Sequence, residues 1–113
     1  MTKIVFISHP VSGDVPGNIK KIIAIARHIN LTEPDVVPFV PYLIDLYALD
    51  DNEPKEREKG LKNGLAVFKY CRVHEVRLYG DRISAGMKEE IEWFQYYGIP
   101  VRPMTPETKK MFK

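Results

Sequence analysis

One cysteine, Cys71, is all the chain holds, so no internal disulfide can brace the fold and a reducing compartment is expected. Charge of one sign is also missing. A formal net charge of +2 over 113 residues, with the basic residues scattered, argues against duplex nucleic acid as a partner. No apolar run approaches the roughly 18 residues of a membrane helix. No internal repeat, low-complexity stretch or linker appears, and no cluster of His, Cys, Asp and Glu has metal-ligand spacing. The opening Met1–Ser8 reads as a strand, and Pro10 interrupts it too soon for a signal peptide, so a cytoplasmic protein is expected.

What remains is an ordinary globular composition, 44% hydrophobic and 28% charged, enough for one domain over residues 1–113 with its own core. Lys3–Ser8 is a β-branched and aromatic run suited to a strand buried on both faces. A turn-rich loop, His9 to Gly17, follows, and Asn18 has the chemistry of an N-cap for the next helix. In that helix Ile19, Ile22, Ile23, Ile25, Ala26 and Ile29 share one face, while Lys20, Lys21, Arg27 and His28 point away. Val36–Val40 predicts a second strand, irregular or at an edge because of Pro38. Tyr42–Leu49 is ambiguous between loop and short helix. Asp50-Asp51-Asn52-Glu53-Pro54 opens a helix running to Cys71 or Arg72. Glu75–Tyr79, Ser84–Tyr97 and Pro100–Pro103 then read as strand, helix and short strand, and Thr105-Pro106 opens a helical turn that frays without a docking surface.

Strands alternating with helices predict an α/β fold: a small parallel sheet between helical layers, αβα, of flavodoxin or Rossmann type. Ligands of such sheets bind beyond the carboxyl ends of the strands, near helix N-termini. The segments Ser8–Asn18 and Gly80–Gly86 fall there.

The helix after the second of those loops holds the sharpest clue. With Met87 at zero, Ile91, Phe94, Tyr97 and Trp93 lie in an arc from about 240° round to about 40°. Lys88, Glu89, Glu92 and Gln95 take the opposite side. Glu90 does not: it projects at about 300°, between Tyr97 and Phe94. A carboxylate inside an apolar arc needs a reason. Either it pairs with a base from another element or reaches water, or it is aimed into the cleft.

The stretch Leu78-Tyr79-Gly80-Asp81-Arg82-Ile83-Ser84-Ala85-Gly86-Met87-Lys88-Glu89-Glu90-Ile91, trailed by Gly98-Ile99-Pro100-Val101, resembles the nucleoside 2-deoxyribosyltransferase-like superfamily. More narrowly it is similar to a group of short phage and bacterial proteins within it. Pro10-Val11-Ser12-Gly13-Asp14 with Asn18, and Leu49 to Pro54 with Glu56-Arg57 and Gly60-Leu61, agree with the same pattern, which spans nearly the whole chain in order. The resemblance implies that Glu90 is a nucleophile attacking the anomeric carbon of a nucleoside or nucleotide. It also implies that Ser84 and Gly86 lie against the sugar or a 5′-phosphate, that Ser12, Gly13 and Asp14 form part of the opposite wall, with Ser8, Asn18, Gly80 and Met87 as further ligand-binding candidates, and that the protein is a homodimer or larger homo-oligomer. No cofactor and no metal are expected. The transferases carry an assisting aspartate on the preceding helix; the matching position here is Gly64, which departs from that pattern and puts transferase activity in doubt. Asp81 and Asp14 are the carboxylates left to act as acid, and each also suits a plain turn. Binding without cleavage is the alternative reading.

Other residues carry paired readings. Arg57 reaches an anionic ligand or snorkels at the surface. His9 contacts a base or phosphate, or is an exposed loop histidine. Asp50 and Asp51 are explained by helix entry. Cys71 reads as a buried core thiol and Gly64 as a site of close packing on an apolar face. Trp93, Phe94, Tyr96, Tyr97 and Tyr70 read as core or subunit interface, the Tyr96-Tyr97 pair pointing to self-association.

Overall fold

In a computed structural model, which describes residues 1–112, the elements run β1 (Lys3–Ser8), α1 (Val15–Thr32), β2 (Val36–Phe39), α2 (Leu43–Ala48), α3 (Pro54–Tyr70), β3 (Glu75–Leu78), α4 (Ala85–Tyr96), β4 (Val101–Pro103) and α5 (Pro106–Met111). The fold is α/β, with one four-stranded, wholly parallel sheet in the order β2-β1-β3-β4. Tyr42–Leu49 resolves as the short helix α2. The remaining boundaries fall within a residue or two of those expected, apart from the start of α1.

The chain divides into two compact units, one made of Met1–Phe39 and the segment from Val73 onward, the other of Val40–Arg72. In the first unit β1 is central. Val5, Phe6, Ile7 and Ser8 are all essentially sealed from solvent, as a doubly covered strand requires. Alternation sends Phe6 and Ser8 to one face and Val5 and Ile7 to the other. The first face meets α4: the Phe6 and Phe94 rings lie 5.0 Å apart and Ser8 bonds Glu90. The second belongs to α1, which a right-handed β1–α1–β2 crossover places opposite α4. Three layers result.

The chain leaves β1 toward β2 on one side and leaves β3 toward β4 on the other. That reversal between adjacent β1 and β3 opens the crevice in which such sheets hold ligands, beyond the strands' carboxyl ends.

Helix α1 starts earlier than expected. Asp14, not Asn18, is the N-cap: its carboxylate accepts from Gly17 N at 3.1 Å, and Pro16 sits in the first turn, where its missing N–H costs nothing. Asn18 lies inside the helix, buried. The core stripe is also narrower than predicted, with Ile19, Ile22 and Ile29 buried while Ile23, at its margin, is 47% exposed. Pro38 stands on the edge strand β2, where a missing donor is tolerated. Helix α5 does find its anchor: Thr108 is fully buried and its hydroxyl donates to Leu78 O at 3.2 Å.

In the second unit Asn63 of α3 donates to the Asp45 carboxylate of α2 at 3.2 Å. Glu56 reaches back to accept from Asp50 N at 3.0 Å, tying the acidic entry to the first turn. Two expectations fail here. Cys71 is exposed, because it caps the C-terminus of α3 instead of lying on its packed side. Gly64 does not serve close packing within the chain, since a Cβ there would meet nothing within 4 Å.

Candidate functional site

Ser8 closes β1 with its side chain toward α4, and Glu90 lies in the second turn of α4 facing back. The Ser8 hydroxyl donates to Glu90 Oε1 at 2.8 Å. Among the described residues no cation pairs with the carboxylate and no second donor engages it. Glu90 keeps part of its surface accessible, but its carboxyl is deep enough that loss of water pushes its pKa up to about 7; the Ser8 hydrogen bond opposes that rise and the charge of Glu89 adds to it. The inward turn read from the helical arc is therefore a true inward turn, and the arginine partner that would have neutralised it is absent among the described residues.

The loop after β1 is built from its own side chains. Asn18 Nδ2 donates to Val11 O at 2.9 Å from a buried position, and Gly13 takes φ +96°, a left-handed turn that favours glycine. Ser12 and Asp14 are exposed, and Ser12 O accepts from Arg82 Nη2 of the second loop at 2.9 Å. Gly80 fastens the loops more tightly. Its φ is +92°, and a Cβ there would come within 2.5 Å of Pro10 Cδ. The glycine is explained by the approach of one loop to the other.

His9 is not an exposed loop histidine. It is 7% exposed, and Nδ1 lies 2.6 Å from Pro10 O. A carbonyl only accepts, so Nδ1 carries the proton and the neutral ring's lone pair sits on Nε2. Burial lowers its pKa, opposed by the Pro10 hydrogen bond, so the neutral ring is favoured. A neutral acceptor nitrogen suits a hydroxyl or amino group better than a phosphate.

At the entry to α4, Ser84 is the N-cap, its hydroxyl accepting from Met87 N at 3.3 Å. Met87 is buried and its sulfur receives Ser84 N at 3.5 Å, so it shapes the helix start from inside. Gly86 is exposed, and nothing would lie within 4 Å of a Cβ added to it; the space over the first turn is open. Asp81 is 74% exposed at its side chain and lies 3.2 Å from Arg82. Arg57 is exposed in the first turn of α3, in the other unit.

Two features escaped the sequence reading. Arg82 bridges Asp81 and the Ser12 carbonyl, a role that only the meeting of two loops creates. The second is an ionic cluster on β3. Arg77 Nε donates to Glu75 at 2.6 Å, and its two terminal nitrogens grip Glu33 at 2.8 and 3.0 Å. Arg102 adds a contact to Glu75 at 3.4 Å. The Arg77 hydrogen bond holds the Glu33 carboxyl below its usual range. Burial would raise Glu75, but the hydrogen bonds and charge of Arg77 outweigh it and hold that carboxyl low too. The i, i+2 spacing of Glu75 and Arg77 in a predicted strand was the available signal.

No helix among the described residues is long and apolar enough to cross a membrane. No curated protein matches the chain in sequence. Residues 3–104 match the model of a family described as Domain of unknown function (DUF7768), and the chain belongs to that family.

Proposed function

We propose that this protein acts on the N-glycosidic bond of a nucleoside or nucleotide, with Glu90 as the nucleophile. The observation that carries the reading is the Ser8–Glu90 pair: an inward carboxylate with one neutral donor, no cation among the described residues, and a pKa raised to about 7 by desolvation. Near neutrality a large share of such groups is ionised, and a poorly solvated carboxylate is a better nucleophile than a surface one. One Glu90 oxygen bonds to the anomeric carbon as the carbon–nitrogen bond breaks, the electron pair leaves with the base, and a proton from a neighbouring acid completes the base. Water or a second base then attacks the glycosyl ester and frees Glu90. Ser8 positions the carboxylate. The open first turn of α4 at Ser84 and Gly86 receives the sugar or a 5′-phosphate, and Ser12, Gly13, Asp14 and His9 line the facing wall. Self-association of the chain, as the superfamily resemblance implies, belongs to the same reading.

A second reading, nucleotide binding without cleavage, is favoured by one observation. The proton donor is not in place: Gly64 has no carboxyl, and Asp81 is at the surface against Arg82. Incubation with a panel of nucleosides and their 5′-monophosphates decides between them. Free base released by the wild type and lost in Glu90→Gln is the expected result; tight calorimetric binding with every ligand recovered intact selects the second reading, and neither release nor binding overturns both.

A further inference from the structure

The second loop of the site is gripped from two sides. Helix α5 opens at Thr105, whose hydroxyl makes two bonds of different kinds. It accepts from Thr108 N at 3.1 Å, the ordinary work of an N-cap. It also lies 2.8 Å from Gly80 O. A carbonyl only accepts, so the Thr105 proton points there. Beside it, the buried Thr108 hydroxyl donates to Leu78 O at 3.2 Å, and Met104 N reaches the same oxygen at 2.9 Å. The start of α5 therefore sits on the backbone where β3 runs out into the second loop.

Gly80 is where that grip matters. Its φ of +92° is a conformation that glycine can take but is not driven to, so contacts outside the residue must select it. On one side a Cβ at Gly80 would come within 2.5 Å of Pro10 Cδ and 3.5 Å of His9 Nε2. On the other its carbonyl takes the Thr105 proton. Two residues on, Arg82 bonds the Ser12 carbonyl at 2.9 Å. We infer that Thr105 is a positioning residue: by holding the Gly80 carbonyl it keeps the second loop closed on the first, with the His9 ring buried between them. Its bearing on catalysis rests on the N-glycosidic reading, whereas the closure itself does not. The His9 ring reports that closure. Closed, it keeps its Nδ1 proton on Pro10 O. Burial lowers its pKa from 6.5 and the Pro10 bond opposes that; of the charges around it, Lys21 on α1 and Arg82 lower it and Asp81 raises it. An opened loop admits water, so the midpoint rises and the proton redistributes between the two ring nitrogens.

Nitrogen-15 NMR of the histidine rings tests this without any substrate, with His9→Gln identifying the signal. Three variants separate the grip on Gly80 from the capping of α5. Thr105→Ser keeps both the acceptor for Thr108 N and the proton for Gly80 O. Thr105→Asp keeps the acceptor, as a good N-cap, but has no proton and sets a carboxylate against the carbonyl. Thr105→Val keeps neither. The wild type and Thr105→Ser are expected to hold the proton on Nδ1 above a midpoint that lies below 6.5. Thr105→Asp and Thr105→Val should both lose the Nδ1-only signature and shift the midpoint upward. The added charge of Thr105→Asp alone would raise the midpoint but leave the proton on Nδ1, so the tautomer decides. An unchanged tautomer in Thr105→Asp would make Thr105 a helix cap only and overturn the inference, as would a wild-type ring protonated at Nε2. Circular dichroism checks folding, and if Thr105→Val unfolds, the serine and aspartate variants carry the same comparison. On the N-glycosidic reading Thr105→Asp should also slow base release on the order of 10-fold or more, as small misplacements in a site do, and Thr105→Ser should not. The ring spectra need no substrate, so the inference and that reading can fail separately.

Discussion

Ser8, the last residue of β1, donates a 2.8 Å hydrogen bond to Glu90, in the second turn of α4, and links the sheet to an inward carboxylate at its carboxyl edge. The pair joins segments 82 positions apart in sequence. Its energetics follow from burial. The unfolded chain ionises Glu90 near the ordinary glutamate value, whereas the folded protein does so only at about 7.

Stability should therefore fall as pH rises. Below about 4.5 both states hold the proton and Glu90 costs nothing; between there and about 7 the unfolded state ionises first, and above that the full cost remains, on the order of 3 kcal/mol. Glu90→Gln keeps an oxygen for the Ser8 hydroxyl and removes the charge. Urea unfolding at pH 5 and pH 8 should show the variant gaining on the wild type at the higher pH. An equal difference at both would contradict the assignment.

Ser8→Ala removes the group that opposes the rise in the Glu90 pKa. The acidic limb of any base-release profile should move to higher pH, with a loss of stability near 1 kcal/mol for one hydrogen bond. A rate change with no displacement of the limb would mean that Ser8 acts elsewhere.

Two glycines of the same loop region should behave oppositely. Gly80→Ala forces a Cβ into Pro10 at a left-handed φ and should cost 2 kcal/mol or more, on the order expected for strain combined with overpacking. Gly86→Ala enters open space in a helix and should be neutral or gain up to about 1 kcal/mol, yet weaken ligand binding if the sugar approaches the first turn of α4. Thermal melts of the pair, read beside calorimetry with a nucleoside, separate the effects.

Arg77→Met leaves Glu75 buried and Glu33 unpaired. Breaking one partner from a buried ionic cluster typically costs about 3–5 kcal/mol, so the variant should be the least stable of this set in urea. A loss below 1 kcal/mol would show that the cluster is solvated.

Much of this arrangement was written locally. Lys3–Ser8 announced a doubly buried strand, Pro54 opened α3 at its first residue, and the helical arc around Met87 set Glu90 among apolar side chains. What stayed hidden depended on contacts between distant segments. Asn18 has the chemistry of a cap, but its amide serves Val11, and the cap fell to Asp14 four residues earlier. His9 looked like a solvent-facing loop residue because nothing nearby in sequence reveals that Pro10 and Gly80 close over it. Arg82 joins two loops that only the parallel sheet brings together. Gly64 read as a packing glycine, yet a Cβ there would meet nothing within 4 Å.

Glu90 holds its proton until neutrality for want of water. Carbon-13 NMR of glutamate side chains, with Glu90→Gln identifying the signal, follows that ionisation directly. A midpoint near 7, moving upward in Ser8→Ala, is the predicted result. A midpoint at the ordinary glutamate value of 4.5 would mean that Glu90 is solvated, and would remove the basis for its role as nucleophile.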